Sequence, residues 1–422
     1  MPRKLIYIIG AGPGSWNLLT REALDALLHS ERVLGAKRLL DSLKTLIQDK
    51  KTDALVNDKS IVEKIQLSDE KVYAVLVSGD SGFFSLSRQL LPPLRAEALK
   101  NNWELQTLCG VSSVAYFAAR LGVPYDDAAI KSFHGRLDSK STTLDKERLL
   151  NLLTGVTARN RKCFFLTDNI VSPALICRAL SERGFGELRI SIGERLSYTD
   201  EKISSGKISG IARAGFAVPN IVYIENDKSV KNIFINPRDS DFIRGSVPMT
   251  KENVRAISLS KLNLKPDAVC WDIGAGTGAV SCSMSLAAPY GRVYAVEKNL
   301  EALSLMRQNK EKTGCYNMEI VEGEAPAVLS ALPPPDAVFI GGSSGTLSPV
   351  LHEILKKNPG ARIVINAVTL ETLSMAQSII AENHFPDVEI AQISVSEFTK
   401  TGSYTLARAQ NPVFVISFGG GA

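Results

Sequence analysis

The sequence predicts an α/β protein built as two domains, and three observations predict it. Near-continuous apolar runs alternate with amphipathic stretches along the whole chain, as when buried strands are covered by helices. A strand, a glycine-rich turn and a helix occur in that order in each half, in "LIYIIGAGPGSWNLLT" (5–20) and "AVCWDIGAGTGAV" (268–280). The length, 422 residues, allows two domains that each bury a core.

In the first half, "LIYII" enters a strand at once, followed by the glycine turn and a leucine-bearing helix. "ERVLGA", "KVYAVLVSG", "RKCFFLT" and "PNIVYIEN" supply further strands, and mostly parallel sheets are expected. Between the last two, "VSPALICRALSERGF" has helix punctuation: Ser172 as N-cap, Pro173 at the first helical position and Gly184 as the stop. The polar stretch "NDKSVKNIFINPRDSDFIRGS" (226–246), broken by Pro237 and Gly245, places a boundary near residue 232, with domains 1–232 and 233–422. In the second half, strands ending near residues 273, 297, 322, 340, 366, 395 and 418 predict a seven-stranded sheet. The last two, "DVEIAQISVSEF" and "NPVFVISF", have no helix between them and are expected to pair antiparallel at the edge.

Composition narrows the function. A net charge of +5 suits an anionic substrate and falls short of a nucleic-acid-binding surface. The six cysteines show no CxxC spacing and read as buried reduced thiols. The four histidines are not grouped at ligand spacing, so no metal site is expected. No apolar run approaches the ~20 residues that span a bilayer, and a cytoplasmic protein without a membrane partner is expected.

The second glycine loop asks for a nucleotide. Gly274, Gly276 and Gly278 follow an apolar strand, where side chains would block close approach of the backbone to a ligand. Glu297, ending the next strand in "RVYAVEKN", stands where an acidic residue binds ribose hydroxyls. Gly274, Gly276 and Ala279 also fit the looser pattern of nicotinamide enzymes. Asp272 before the loop, Gly276-Thr277-Gly278 within it, and Glu324-Ala325 after a third strand are instead similar to class I S-adenosylmethionine (SAM) methyltransferases. The first loop has no such acidic partner: its second strand ends at Leu34-Gly35, and Ser15 fills the third glycine position. It still gathers backbone N–H groups at a helix start, which suits an anionic group.

Residues 233–422 resemble the decarboxylating methyltransferase domain of cobalamin biosynthesis, on "FIRGSVPMTKENVRAISLSKL", "DIGAGTG", "GEAP", "IGGSSG" and "INAVTLET". Residues 1 to about 230 resemble the tetrapyrrole methylase family, on "IIGAGPGSWNLLT", "VLVSGDSGFFSLSRQL", "GVSSVAYFAARLGVPYDD", "FFLTDN", "SIGERLSYTDEKI" and "VPNIVYIEN". The resemblance implies a two-lobed tetrapyrrole methylase fold followed by a class I Rossmann-like domain. SAM would lie between the lobes against Gly79, Asp80, Ser81, Phe83, Ser112, Ser113, Thr167, Asp168, Glu194, Pro219 and Asn220. Many relatives have proline where Ser81 stands; the precorrin C5-type branch commonly has serine. The opening turn, Gly10, Gly12, Pro13 and Gly14, would face an anionic tetrapyrrole. A second SAM would lie against Thr250, Asp272, Gly274, Gly276, Thr277, Gly278, Glu297, Glu324, Ala325 and Gly341. Arg244, Lys251 and Arg255 flank "VPMTK" and are candidates to hold substrate carboxylates. The two halves in this order imply methylation of a precorrin ring at C5 by the first and at C15 by the second, with loss of the C12 acetate carboxyl. A homo-oligomer is expected from the same relatives.

This chemistry agrees with the lack of a His/Asp or Cys/His constellation. Methyl transfer from a sulfonium has a neutral leaving group, and positioning supplies most of the barrier reduction, roughly 7–11 kcal/mol at best. Two other readings are weaker. A nicotinamide oxidoreductase needs the acidic partner that the first loop lacks. An RNA methyltransferase needs aromatic platforms and a dense Arg/Lys stripe that the chain lacks.

Overall fold

Helices Leu300–Thr313 and Leu370–Asn383 start at the capping side chains of Asn299 and Thr369, and the first of them stops at Gly314 in the left-handed conformation. The computed structural model describes residues 3–138, 140–211, 215–229, 236–342 and 345–420. The chain divides into two compact units, Met1–Lys140 with Arg161–Asp227, and Ser141–Asn160 with Lys228–Ala422. Residue 232, the expected boundary, lies outside the described residues. Helix Thr143–Arg159, expected in the first domain, clusters with the second unit. Its Gly155 shows why: a Cβ there would stand 2.4 Å from the Pro289 carbonyl oxygen.

The first unit has two sheets. β1 (Leu5–Gly10), β2 (Arg32–Gly35), β3 (Lys51–Ala54), β4 (Val72–Val77) and β5 (Glu104–Leu108) form an all-parallel sheet in the order β3-β2-β4-β1-β5. Apolar clusters cover both faces, Ile9, Ala74 and Leu76 on one and Ile6, Ile8, Tyr73 and Val75 on the other. The second sheet contains β6 (Ala129–Ser132), β7 (Lys162–Thr167), β8 (Arg189–Glu194), β9 (Lys202–Lys207) and β10 (Asn220–Glu225) in the order β6-β7-β10-β8-β9. Only β6 and β7 run parallel; the other pairings are antiparallel, against the expectation of mostly parallel sheets. For β8 and β9 the reason is the connection, a short turn with no crossover helix, which permits only an antiparallel pair. The helix at Pro173–Glu182 has the expected cap, with Ser172 accepting from the Leu175 N–H and Gly184 at φ +86°.

The second unit is a seven-stranded sheet. β11 (Val269–Ile273), β12 (Arg292–Glu297), β13 (Met318–Glu322), β14 (Ala337–Ile340), β15 (Arg362–Ala367), β16 (Glu389–Ile393) and, after an inserted hairpin, β19 (Val413–Phe418) stand in the order β13-β12-β11-β14-β15-β19-β16. The first five are parallel, and β19 pairs antiparallel with both β15 and β16, as expected for the edge. Alternate residues serve opposite cores: Cys270, Val293 and Ala295 on one face, Trp271, Tyr294 and Val296 on the other, the period-2 pattern of a strand covered twice. The hairpin, β17 (Ser396–Thr401) and β18 (Tyr404–Ala409), is absent from the sequence reading, which runs one strand through "DVEIAQISVSEF". Its residues are exposed on both faces, so no burial pattern marks it.

Five cysteines are buried as expected, but Cys109 is exposed, at the loop after β5. Among the described residues no group of three His, Cys, Asp or Glu could hold a metal ion, and no helix is long and apolar enough to cross a membrane.

Candidate active site

In the first unit, the expected residues collect at the carboxyl ends of β1, β4 and β5 and at one end of the second sheet. Gly10, Gly79 and Gly110 meet backbone to backbone: a Cβ on Gly10 would lie 2.6 Å from the Gly110 nitrogen, and one on Gly110 2.3 Å from the Gly10 oxygen. The Gly12 and Gly79 backbones exchange hydrogen bonds of 3.1 and 2.8 Å. Asp80 uses both carboxylate oxygens internally, accepting from Gly82 N (2.8 Å) and Gly110 N (3.0 Å). It fixes the loop that carries buried Ser81 and half-buried Phe83. Ser112 caps the helix beginning at Ser113. Across from these loops, Asn220 starts β10 directly opposite Thr167 and Glu194, which end β7 and β8. Thr167 donates to Asn220 Oδ1, Glu194 accepts from Ala217 N at 2.7 Å, and Asp168 accepts from Gly135 N at 2.8 Å. Pro219 accepts from Arg195 N at 2.8 Å. The turn after Glu194 joins the lobes: Ser197 Oγ accepts from Ser15 N at 2.9 Å. The Tyr198 ring sits against Gly14, where a Cβ would overlap it at 2.3 Å.

The second unit holds a cleft of about 880 Å³, within the usual range for a small-molecule site. Gly274, Gly276, Thr277, Glu297, Glu324, Ala325, Gly341, Thr250 and Lys251 line it. Gly274 and Ala275 donate to Val296 O, which lays the glycine loop over the end of β12. Glu297 then bonds the loop itself: Oε2 accepts from Gly276 N at 2.8 Å, and Oε1 from Lys298 N and Asn299 N at 2.8 and 2.9 Å. The carboxylate is therefore fixed on the cleft wall before any ligand arrives, with one of its about four lone-pair sites, on Oε2, left for a hydroxyl donor. Glu324 is ion-paired with Lys298 at 2.5 Å. Gly276 has φ +55°, and a Cβ there would stand 3.2 Å from Pro248 O; any side chain would fill the floor of the cleft.

Two expected nucleotide residues lie elsewhere. Gly278, at φ +77°, packs against Met306, 2.6 Å from a would-be Cβ. Asp272 is fully buried beneath the loop; Ser281 donates to one of its oxygens and the other has no partner among the described residues. Burial pushes its carboxyl up to about 7. A carboxyl raised in the folded state adds stability that is full below its unfolded value, near 4. That stability is lost as pH climbs through the folded value. The second unit is thus expected to lose on the order of 4 kcal/mol between pH ~4 and ~7 through this one group. Asp272→Asn should flatten that slope, read by calorimetric melting at several pH values. A variant with the wild-type slope would show that Asp272 does not titrate there.

The three candidate cations part company. Lys251 lines the cleft, half-buried, and its ammonium makes no hydrogen bond or ion pair among the described residues. Arg244 is exposed, donates to Asp239 O at 3.2 Å and lies outside the cleft. Arg255, expected to hold a substrate carboxylate, is instead wholly buried. Nε donates to Asn236 Oδ1 (2.7 Å), Nη1 to Thr250 O (2.8 Å) and Asp239 Oδ1 (3.2 Å), and Nη2 to Pro237 O. The guanidinium stacks 5.0 Å over Phe242, and burial pushes its pKa down. It shapes the segment before the cleft wall and has no donor directed at a ligand.

Sequence reasoning missed three groups. Asn309, fully buried, binds Thr277 O (2.9 Å) and both Ile243 N and O, tying the glycine loop to the wall. Glu301 holds Ser246 through its N–H (2.9 Å) and Oγ (2.7 Å). Asn366 at the end of β15 lines the cleft. Helix-face polar residues such as Glu301 and Asn309 give no local signal; their role depends on a loop dozens of residues away.

With this geometry in place, similarity decides the family. Residues 242–418 match the family described as Precorrin methyltransferase domain, and residues 5–212 that described as Tetrapyrrole (Corrin/Porphyrin) Methylases. A cobalt-precorrin-6B C(15)-methyltransferase (decarboxylating) of Salmonella typhimurium is 38% identical over 182 residues, 43% of this chain and 94% of the relative. The chain belongs to the precorrin methyltransferase family. A precorrin-6Y C(5,15)-methyltransferase (decarboxylating) of Sinorhizobium sp. is 28% identical over 384 residues, 90% of this chain and 87% of that one. This family member is similar along both units. A crystal structure titled as precorrin-6Y C5,15-methyltransferase of Geobacter metallireducens is 38% identical with TM-score 0.41, covering 43% of this chain and 95% of that chain.

Proposed function

We propose that the chain is a bifunctional SAM-dependent C-methyltransferase of cobalamin biosynthesis. It methylates a precorrin or cobalt-precorrin ring at C5 in the first unit and at C15 in the second, where the C12 acetate is also decarboxylated. The observation that supports this best is the Glu297 carboxylate, fixed by three backbone N–H groups on the wall of a glycine-floored cleft. That carboxylate is an acceptor for a ribose hydroxyl, and the side-chain-free floor at Gly276 fits a nucleoside lying flat on the loop.

SAM, when bound, supplies an electrophilic methyl on a sulfonium. The residues of the chain supply position. Glu297 fixes the ribose and hence the direction of the methyl, while the Val247–Thr250 wall, held by Glu301, bounds the far side. Lys251 offers a free ammonium to a carboxylate of the anionic ring. The ring carbon is itself the nucleophile, the proton it sheds once the methyl is on passes to water, and the conjugated ring takes up the electron pair left by carbon dioxide. The exposed apolar side chains of the hairpin, Phe398, Tyr404 and Leu406, support the expected homo-oligomer, since two strands alone hold together weakly in water.

The test is mass spectrometry of a precorrin substrate turned over with methyl-labelled SAM. The whole chain is expected to add two labelled methyls and remove one carbon dioxide. Glu297→Ala should weaken SAM binding in the second unit by about 1–3 kcal/mol and, at limiting SAM, accumulate a decarboxylated ring lacking the C15 methyl. If both reactions vanish together in a folded variant, SAM binding also organises the decarboxylation pocket. If no label enters in the wild type, the proposed activity is wrong.

A further inference from the structure

We infer that Asn366 is a substrate-binding residue of the second unit, its side-chain amide donating to a carboxylate of the anionic ring; this rests on the methyltransferase reading above. Three observations lead to it. Asn366 lines the cleft at the carboxyl end of β15. Its Oδ1 lies 3.0 Å from Ser258 Oγ, and Ser258 is itself fully buried. Its Nδ2 is buried and has no hydrogen-bond partner among the described residues. A buried amide nitrogen without an acceptor costs about 1–3 kcal/mol, and a cleft residue that keeps such a cost calls for a ligand acceptor.

The strand order says which ligand. Glu297 ends β12 and Glu324 follows β13, on one side of the glycine loop after β11; Asn366 ends β15 on the other side. Three inter-strand steps separate β12 from β15, about 14 Å at ~4.8 Å per step. Asn366 is thus placed beyond the ribose site. Lys251, whose ammonium has no partner among the described residues, is the N-cap of the helix that carries Ser258, Glu252–Leu262. An ammonium and an amide donor lining one cleft suit a carboxylate better than a neutral group.

Ser258 decides which end of the amide is offered. Its hydroxyl has one proton and two acceptors within reach, Val254 O at 2.9 Å and Asn366 Oδ1 at 3.0 Å. With the proton on Asn366 Oδ1, the NH2 group is free for the substrate. With the amide reversed, nitrogen towards Ser258, the substrate would meet an acceptor instead.

Two variants of the full chain separate these cases, each assayed for C15 methylation and for SAM binding by calorimetry. Asn366→Ala should lower kcat/KM for C15 methylation at least tenfold, through KM, with SAM affinity within twofold of wild type. Asn366→Asp, equal in shape, places a negative charge against the carboxylate and should be worse than alanine. Aspartate tolerated better than alanine would overturn the inference, because the site would then want an acceptor. A loss of SAM affinity equal to the loss of turnover would overturn it too, assigning the amide to the cofactor. Absence of SAM binding in the wild type would instead refute the methyltransferase reading on which the inference rests.

Discussion

Gly276→Val is expected to abolish SAM binding in the second unit while leaving methylation at C5 intact. The glycine adopts φ +55°, a left-handed conformation that costs an ordinary residue about 1–2 kcal/mol and a β-branched one more. Its missing Cβ is the free space of the cleft floor, 3.2 Å from Pro248 O, and valine adds two methyls beyond that point. The Gly276 N–H also anchors Glu297 at 2.8 Å, so displacing the loop would release the carboxylate that the ribose is proposed to bind. Losing fit and anchor together should cost at least ~3 kcal/mol, about 150-fold in affinity. Calorimetric titration of the wild type should resolve two SAM sites, and of the variant one. A single site in the wild type would sink the two-site reading. Two undiminished sites in the variant would show that SAM does not lie on this loop.

How much of this was legible beforehand depends on whether a residue's role is local. The Ser172 cap, the Gly184 stop and the strand ends at residues 273, 297, 322 and 340 were readable because each obeys its own few neighbours. Glu297 was readable because one helix and one strand fix its distance from the glycine loop. Arg255 was not. A guanidinium beside "VPMTK" looks like a ligand for carboxylates until the fold shows that the segment 236–250 wraps it. Helix Thr143–Arg159 was misplaced for a related reason: order along the chain put it in the first half, whereas Gly155 fits a surface more than a hundred residues later. Asn366 was legible as part of a motif but not as an unpartnered amide, since that depends on what fails to reach it.

Arg255 gives the sharpest separation between the two readings of a cation. In the structure it bridges four acceptors of one segment, Asn236, Pro237, Asp239 and Thr250, with no exposure to solvent. Arg255→Met keeps most of the volume and removes every donor. It leaves the Asp239 carboxylate, two carbonyls and an amide oxygen without their partner in a largely buried setting, and breaking a buried pair in this way costs roughly 3–5 kcal/mol. Arg255→Lys should recover only part of that loss, because a single ammonium cannot span acceptors arranged around a planar fork. Arg244→Ala is the contrast: its ion pair with Asp239 is 3.5 Å long and exposed, a class of interaction worth at most about 1 kcal/mol. Urea unfolding that resolves the transition of the second unit should therefore show a large loss for Arg255→Met, a smaller one for Arg255→Lys and almost none for Arg244→Ala. Because the wrapped segment leads into the wall at residues 246–251, SAM affinity should fall in step with stability across the three variants. If Arg255→Met instead keeps its stability and its SAM affinity while KM for the ring rises, the guanidinium binds substrate after all, and the internal network described here does not hold the wall in place.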